Sequence, residues 1–437
     1  MRSALSTAVS AKMKRDIAKV VPASGLTWLT TAFLISIALP SDIEPSAGAI
    51  LLPPYRVVCL VAAFIVLPRF FRGLRFKWNA ADAFVLFLAV WQSVCHLVNE
   101  KSDTAWQAAG SAFLDCVAYF IARVAVTDIG ALTSVARVTT AIVFVILPFT
   151  ACEAIFRRHF VHELMGARQV PTLYDIRLGL LRAMGPFEHS IMYGTFCASA
   201  LSLSWFLLPL RFRALRTIAI GVAIFVSVST APMLAGALQL ALTLWDRVFE
   251  KLRSRWTILS FGLIAALVLV SLVSNRPLTH LLISYLTLVP ATGWNRLAQW
   301  TYGWADAQQN WIFGLGYKDW PRPFWLQPRI ASVDSYWLHR AIMFGMPGFY
   351  ASILATIAAV FLVAKSKLPE FDPQFQRARK AWMFSIVALS VVGITVDYWH
   401  QMNAYYFFVL GSGLWLADPK AMRGSTALAP RRAKLLE

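Results

Sequence analysis

Runs of about twenty apolar residues, the length an α-helix needs to cross a bilayer's hydrocarbon core, recur along this 437-residue chain and constrain it more than any other feature. Inside lipid, each backbone N–H and C=O must be satisfied within its own segment or a closed barrel. The short alternating strands of a barrel are not apparent here. Composition agrees, with 58% hydrophobic and only 14% charged residues. The fold class this predicts is an all-α polytopic membrane protein of about twelve transmembrane helices, with a large, partly helical outer loop between spans nine and ten.

The chain divides accordingly. A basic tail, 1–25, precedes spans one to nine at 26–275, with an outer loop at 157–186. The large outer loop covers 276–337, spans ten to twelve cover 338–416, and a second basic tail covers 417–437. Gly25–Pro40 resembles a signal peptide, but its charged leader is long, so it is read as an uncleaved first span. Thr217–Trp245 is too long for one comfortable crossing and short for two. Ser227–Pro232 interrupts its middle, and two short spans turning there are expected. That count puts both basic tails and most basic turns on one side, which the positive-inside rule makes the cytoplasm. The net charge of +19 then records topology, and no nucleic-acid partner is expected. Cys59, Cys95, Cys116, Cys152 and Cys197 all lie in apolar runs and read as buried small hydrophobes.

Two outer loops break the charge rule. One carries Arg157, Arg158, Arg168, Arg177 and Arg182; the other carries Arg276, Arg296, Lys318, Arg322 and Arg329. Nine of these ten are Arg, whose planar fork matches phosphate and carboxylate oxygens. An anionic ligand on the outer face is the functional reading. Lipid phosphates, or pairing with Glu163, Asp175, Asp306 and Asp319, explain any single Arg equally well. The larger loop also holds seven of the seventeen Trp. Arg296, Trp300 and Trp304 recur every four residues and share one helix face. A guanidinium over two flat rings suits a phosphorylated sugar, and an interfacial aromatic belt is the plainer alternative.

These residues resemble the O-antigen ligases and Wzy-type polysaccharide polymerases of bacterial envelopes. Arg182-Ala-Met-Gly185 is similar to the family's Arg-x-x-Gly segment. Arg296 through Trp311-Ile-Phe-Gly-Leu-Gly316 is similar to an Arg, an amphipathic helix and a Pro-x-x-Gly-x-Gly turn, with Trp311 where Pro is usual. Asp334-Ser335-Tyr336-Trp337-Leu338, running to Gly345 and Gly348, resembles the family's His-Asn-x-x-Leu run. Asp334 and Ser335 replace its His and Asn, and Thr230-Ala231 replaces a common Ser-Arg pair. The first change tilts the resemblance from ligase toward exopolysaccharide polymerase.

The resemblance implies a metal-independent glycosyltransferase of the bacterial inner membrane. It would transfer glycan from an undecaprenyl-pyrophosphate-linked oligosaccharide to a sugar hydroxyl on the periplasmic side. Membrane lipids, a flippase and chain-length or export proteins are the implied partners. Arg182 and Arg296 are expected to stabilise the pyrophosphate leaving group, with Asp334 as general base. Trp300, Trp304, Arg276, Arg322, Arg329 and His189 are expected to bind substrate. A helix cap or a salt bridge to Arg340 is the alternative role for Asp334. No cofactor is expected: there is no Asp-x-Asp and no Gly-x-x-x-x-Gly-Lys-Ser/Thr loop. A flippase is the competing class, but transporters concentrate ionisable groups inside their spans. Here the spans carry few charges (Arg56, Asp82, Asp115, Arg123 and Asp397 among them), and the cations concentrate in outer loops.

Overall fold

The computed structural model describes residues 26–40, 46–47, 50–51, 53–71, 78–100, 102–164, 175–275, 281, 290–324, 332–368 and 373–418. The helices are α1 Thr27–Ile37, α2 Pro54–Phe71, α3 Ala80–Asn99, α4 Ser102–Ala125, α5 Ile129–Phe156, α6 Phe160–Leu164 and α7 Ser190–Leu207. They continue with α8 Arg213–Val226, α9 Thr230–Val248, α10 Arg255–Val273, α11 Pro290–Gln309, α12 Tyr336–Lys365, α13 Pro373–Val392 and α14 His400–Ser412. Two antiparallel hairpins are the sheet structure among the described residues: β1 Ser46–Ala47 with β2 Ile50–Leu51, and β3 Ile176–Arg177 with β4 Leu180–Leu181.

Each apolar run read from the sequence is occupied by a helix. Six of the described helices are long and apolar enough to cross a membrane: α3, most of α4, α5, α7, α10 and α12. The awkward stretch Thr217–Trp245 is two helices, α8 and α9, which break at 227–229, where Val228 takes a positive φ of 41°.

Burial does not follow hydrophobicity. α10 is the most apolar of the six, yet none of its residues is buried against the protein. α14 carries Gln401, Asn403 and two Tyr, yet every residue from Gln401 to Ser412 is buried. Three of its polar side chains bond to neighbouring helices. Asn403 donates to Asp115 (2.8 Å), Tyr405 meets Ser199 (2.6 Å) and Tyr406 meets Thr356 (2.8 Å). A helix in lipid needs no polar partner, whereas one in the bundle can use polar side chains as interhelical contacts. Asp82 and Arg123 likewise pair inside the bundle at 2.8 Å, with Tyr119 donating to the same carboxylate.

Two expectations need correction. Asp397 is not in a span but in the non-helical connection 393–399 between α13 and α14. Cys152 is exposed on α5, while the other four cysteines are buried.

α12 is broken at Gly345, whose φ/ψ of 66°/−173° only glycine adopts easily. A Cβ there would lie 2.2 Å from the Ile312 carbonyl oxygen. The turn after α11 docks into this break. Leu315 and Gly316 donate to the carbonyls of Ile342 and Met343 (2.8 and 3.0 Å), and Met346 donates back to Trp311 (2.7 Å).

Candidate functional site

The shorter basic loop folds back under its own hairpin. Leu178 and Gly179 both have positive φ, which fits the tight two-residue turn joining β3 to β4. Arg157, itself left-handed at the end of α5, donates twice to the Gly179 carbonyl (3.2 and 2.8 Å) and ties the hairpin down. The backbone then enters the protein. Arg182 N donates to the Asp175 carbonyl (2.8 Å), and Ala183 N donates to the Val226 carbonyl at the end of α8 (3.0 Å). Met184 and Gly185 both donate to the buried Glu153 carboxylate (3.1 and 2.9 Å). Gly185 has φ 54°, and a Cβ would meet Thr150 at 2.9 Å. The glycine of Arg182-x-x-Gly185 is therefore required by conformation and by space, and it fixes where Arg182 emerges.

α11 supplies the second guanidinium. Gln299, one turn from Arg296, donates to the Ser332 carbonyl (2.9 Å) and accepts from Asp334 N (2.8 Å). This clamp holds the Asp334 carboxylate beside Arg296, while Ser332 Oγ donates to its Oδ1 (3.2 Å). The helix cap of α12 is Ser335, which accepts from Leu338 N, and Arg340 donates to Asn403. Asp334 takes neither of the alternative roles considered for it.

These pieces meet in one cavity of about 260 Å³. Its walls include Arg177, Arg182, His189, Arg296 and Asp334, with Ser229 from the α8–α9 break, Thr230 and Ala231 from the start of α9, and Thr395, Asp397 and Trp399 from 393–399. Arg182 donates to Ser229 (3.0 Å). Arg182 and Arg296 are 8% and 6% exposed, and the Nε of each is buried without a hydrogen-bond partner among the described residues. Burial, reinforced by Arg177, pulls the Arg182 pKa down to about 10. Burial lowers that of Arg296 too, against the opposing pull of Asp334. Both remain cations at neutral pH. A buried cation short of partners is costly, and an anion in the cavity relieves that cost.

Burial raises the Asp334 pKa, and Arg296 opposes the rise. Burial and then Arg182 lower that of His189 to about 4, so its ring is neutral. His189 Nδ1 accepts from Ile191 N (3.1 Å) as the cap of α7, which leaves Nε2 as a donor.

Other nominated residues lie elsewhere. Trp300 and Trp304 are on α11, with ring centroids 6.3 Å apart. Trp300 donates to the Ile394 carbonyl (3.4 Å), Trp304 packs edge-on against Phe349, and neither lines the cavity. Arg322 pairs with Asp319. Arg276 and Arg329 lie outside the described residues. Sequence reasoning did not give Arg177 a site role or assign one to the 393–399 connection. The available signal was Asp397 next to two aromatic residues between apolar runs.

A second cavity of about 230 Å³ adjoins the first and shares Ser332, Asp397 and Trp399 with it. It extends past His339 and Trp320 to the turn at Gly316–Lys318.

The family model Wzy_C, described as O-Antigen ligase, matches residues 215–353. That segment runs from α8 into α12 and holds Arg296 and Asp334; Arg177, Arg182 and Asp397 lie outside it. The match supports the resemblance to O-antigen ligases and Wzy-type polymerases. A comparison with curated proteins finds no match.

Proposed function

We propose that this protein polymerises undecaprenyl-pyrophosphate-linked oligosaccharide repeat units at the periplasmic face of the bacterial inner membrane, in exopolysaccharide or O-antigen biosynthesis. One observation carries the reading: Arg177, Arg182 and Arg296, from two separate loops, converge on a single cavity. The connections that line it (157–186, 227–229, 276–337 and 393–399) all fall on the same side if each of the twelve runs crosses once.

In this reading the pyrophosphate occupies the guanidinium cluster. As the bond from the sugar's anomeric carbon to the phosphate oxygen breaks, negative charge grows on that oxygen. Arg182 and Arg296 are already fixed where it develops, so little reorganisation is needed. No metal is required for that charge. Asp334 balances the cluster and holds Arg296 in register, and the neutral His189 donates from Nε2. Cations gathered at a surface cavity favour chemistry there over transport through the spans, and so argue against a flippase.

A ligase that passes glycan to lipid A core is the second reading, favoured by the matched family's description. The glycan profile of a deletion strain separates the two. Polymerase predicts single repeats in place of long chains. Long chains that persist on the lipid carrier but never reach core would sink that reading in favour of ligase. Lipid-linked repeats trapped on the cytoplasmic side would point to a flippase.

A further inference from the structure

Glycosyl transfer also needs a site for the acceptor and a base for its proton. We infer that the second cavity receives the acceptor sugar, and that His339, oriented by Asp397, takes the proton of the attacking hydroxyl. This rests on the donor reading above but concerns residues that reading does not use.

The two cavities differ in chemistry. The first is walled by guanidiniums. The second has Tyr317 and Trp320, with Lys318 as its single cation beside the carboxylates of Asp319 and Asp397; Trp399 and Asp397 border both cavities. Aromatic faces with one cation among carboxylates suit a neutral sugar ring better than a diphosphate. The Trp320 indole N–H is buried and has no hydrogen-bond partner among the described residues. A sugar hydroxyl oxygen in the cavity would satisfy it.

His339 lines the second cavity with its side chain 35% exposed, and its Nδ1 lies 2.6 Å from Oδ2 of Asp397, which borders both cavities. Asp397 is itself buried at 2% exposure, and its Oδ1 accepts from Tyr398 N (2.8 Å). With both oxygens engaged, the carboxylate is fixed. A carboxylate on Nδ1–H selects the tautomer whose Nε2 lone pair is free to accept a proton. Asp334 is placed differently, beside Arg296 and hydrogen-bonded by Ser332.

The acceptor O–H bond breaks and its proton goes to His339 Nε2. The acceptor oxygen bonds to the donor's anomeric carbon. The carbon–oxygen bond to the pyrophosphate breaks, and its electron pair leaves on undecaprenyl pyrophosphate beside Arg182 and Arg296. His339 then returns the proton to solvent. His339 is the catalytic residue and Asp397 its positioning residue.

The test uses the full-length protein in proteoliposomes, with lipid-linked oligosaccharide extracted from a deletion strain as substrate and undecaprenyl pyrophosphate as binding probe. His339→Gln and Asp397→Asn are each expected to lower turnover about 10²–10⁴-fold, the range for general-base catalysis, with probe affinity within about twofold of wild type. Activity of His339→Ala should recover in added imidazole, which a purely structural role would not permit. Asp334→Asn should lose less turnover than His339→Gln. Near-normal turnover in His339→Gln, or loss of probe binding along with turnover in both His339→Gln and Asp397→Asn, overturns the inference. Failure of the wild-type protein to bind the probe instead overturns the donor reading.

Discussion

Arg158 belongs to the same loop as Arg182, and their surroundings are opposite. Arg158 is 64% exposed and pairs with Glu163 at 2.7 Å; Arg322, in the loop of Arg296, is an intermediate case, with its side chain only 8% exposed but paired with Asp319 and set over Trp320. Each has a carboxylate within five residues in sequence. Arg182 and Arg296 are buried, short of hydrogen-bond partners at Nε, and face a shared cavity. A guanidinium already satisfied on the surface contributes little. One held in reserve inside a low-dielectric pocket interacts strongly with any charge that forms there. Excess positive charge on an outer loop is therefore a weak sign of function until the satisfied cations are subtracted.

That contrast is open to breaking. Arg296→Ala and Arg182→Ala should each cost about 10²–10³ in turnover, or roughly 2–4 kcal/mol at the transition state. Arg→Lys at either position should fall nearly as far, because the planar fork is lost. Long-chain glycan in a complemented deletion strain, normalised to protein level, reads both. Arg177→Ala should fall between these and wild type, since its role includes depressing its neighbour Arg182. Arg158→Ala should stay within about threefold, as a paired surface charge does; a larger loss would erase the distinction.

The smallest effect concerns pH. The pKa of His189 falls to about 4 in the folded protein, below the usual value of roughly 6.5. The unfolded chain then binds more protons between those values. The contribution of His189 to stability is thus fully present above pH ~6.5 and is lost as pH falls toward 4. Thermal unfolding across that window should show a shallower decline for His189→Asn, which keeps a helix-capping side chain. An unchanged slope would mean that the ring is protonated without penalty.

Much of this was readable beforehand, and the reasons differ by residue. Helices lie where hydropathy put them because the pattern is local. The break in Thr217–Trp245 was signalled by its own serines and proline. Arg182 and Arg296 stood out because Gly185 and the α11 helical repeat are local too. Arg177, Asp397 and His339 did not stand out as a group. Their roles depend on the hairpin folding under α5, on the 393–399 connection docking against α11 through Trp300, and on the first turn of α12 reaching Asp397. Those contacts join residues 22 to 94 positions apart, and no spacing rule reports them. Conversely, Trp300 and Trp304 had the right spacing for a platform, but helix periodicity defines a face without saying what the face meets. Here it meets Phe349 and the 393–399 backbone.

The glycine-lined seam between α11's turn and the broken α12 has a mechanical consequence. Three backbone hydrogen bonds stitch Trp311–Gly316 to Ile342–Met346, and at Gly314 and Gly345 a Cβ would lie within 2.4 Å of a backbone oxygen. The element carrying Arg296 therefore cannot slide along the one carrying His339 without tearing that seam. On the roles proposed for Arg296 and His339, the spacing between donor and acceptor is thus set before any substrate arrives.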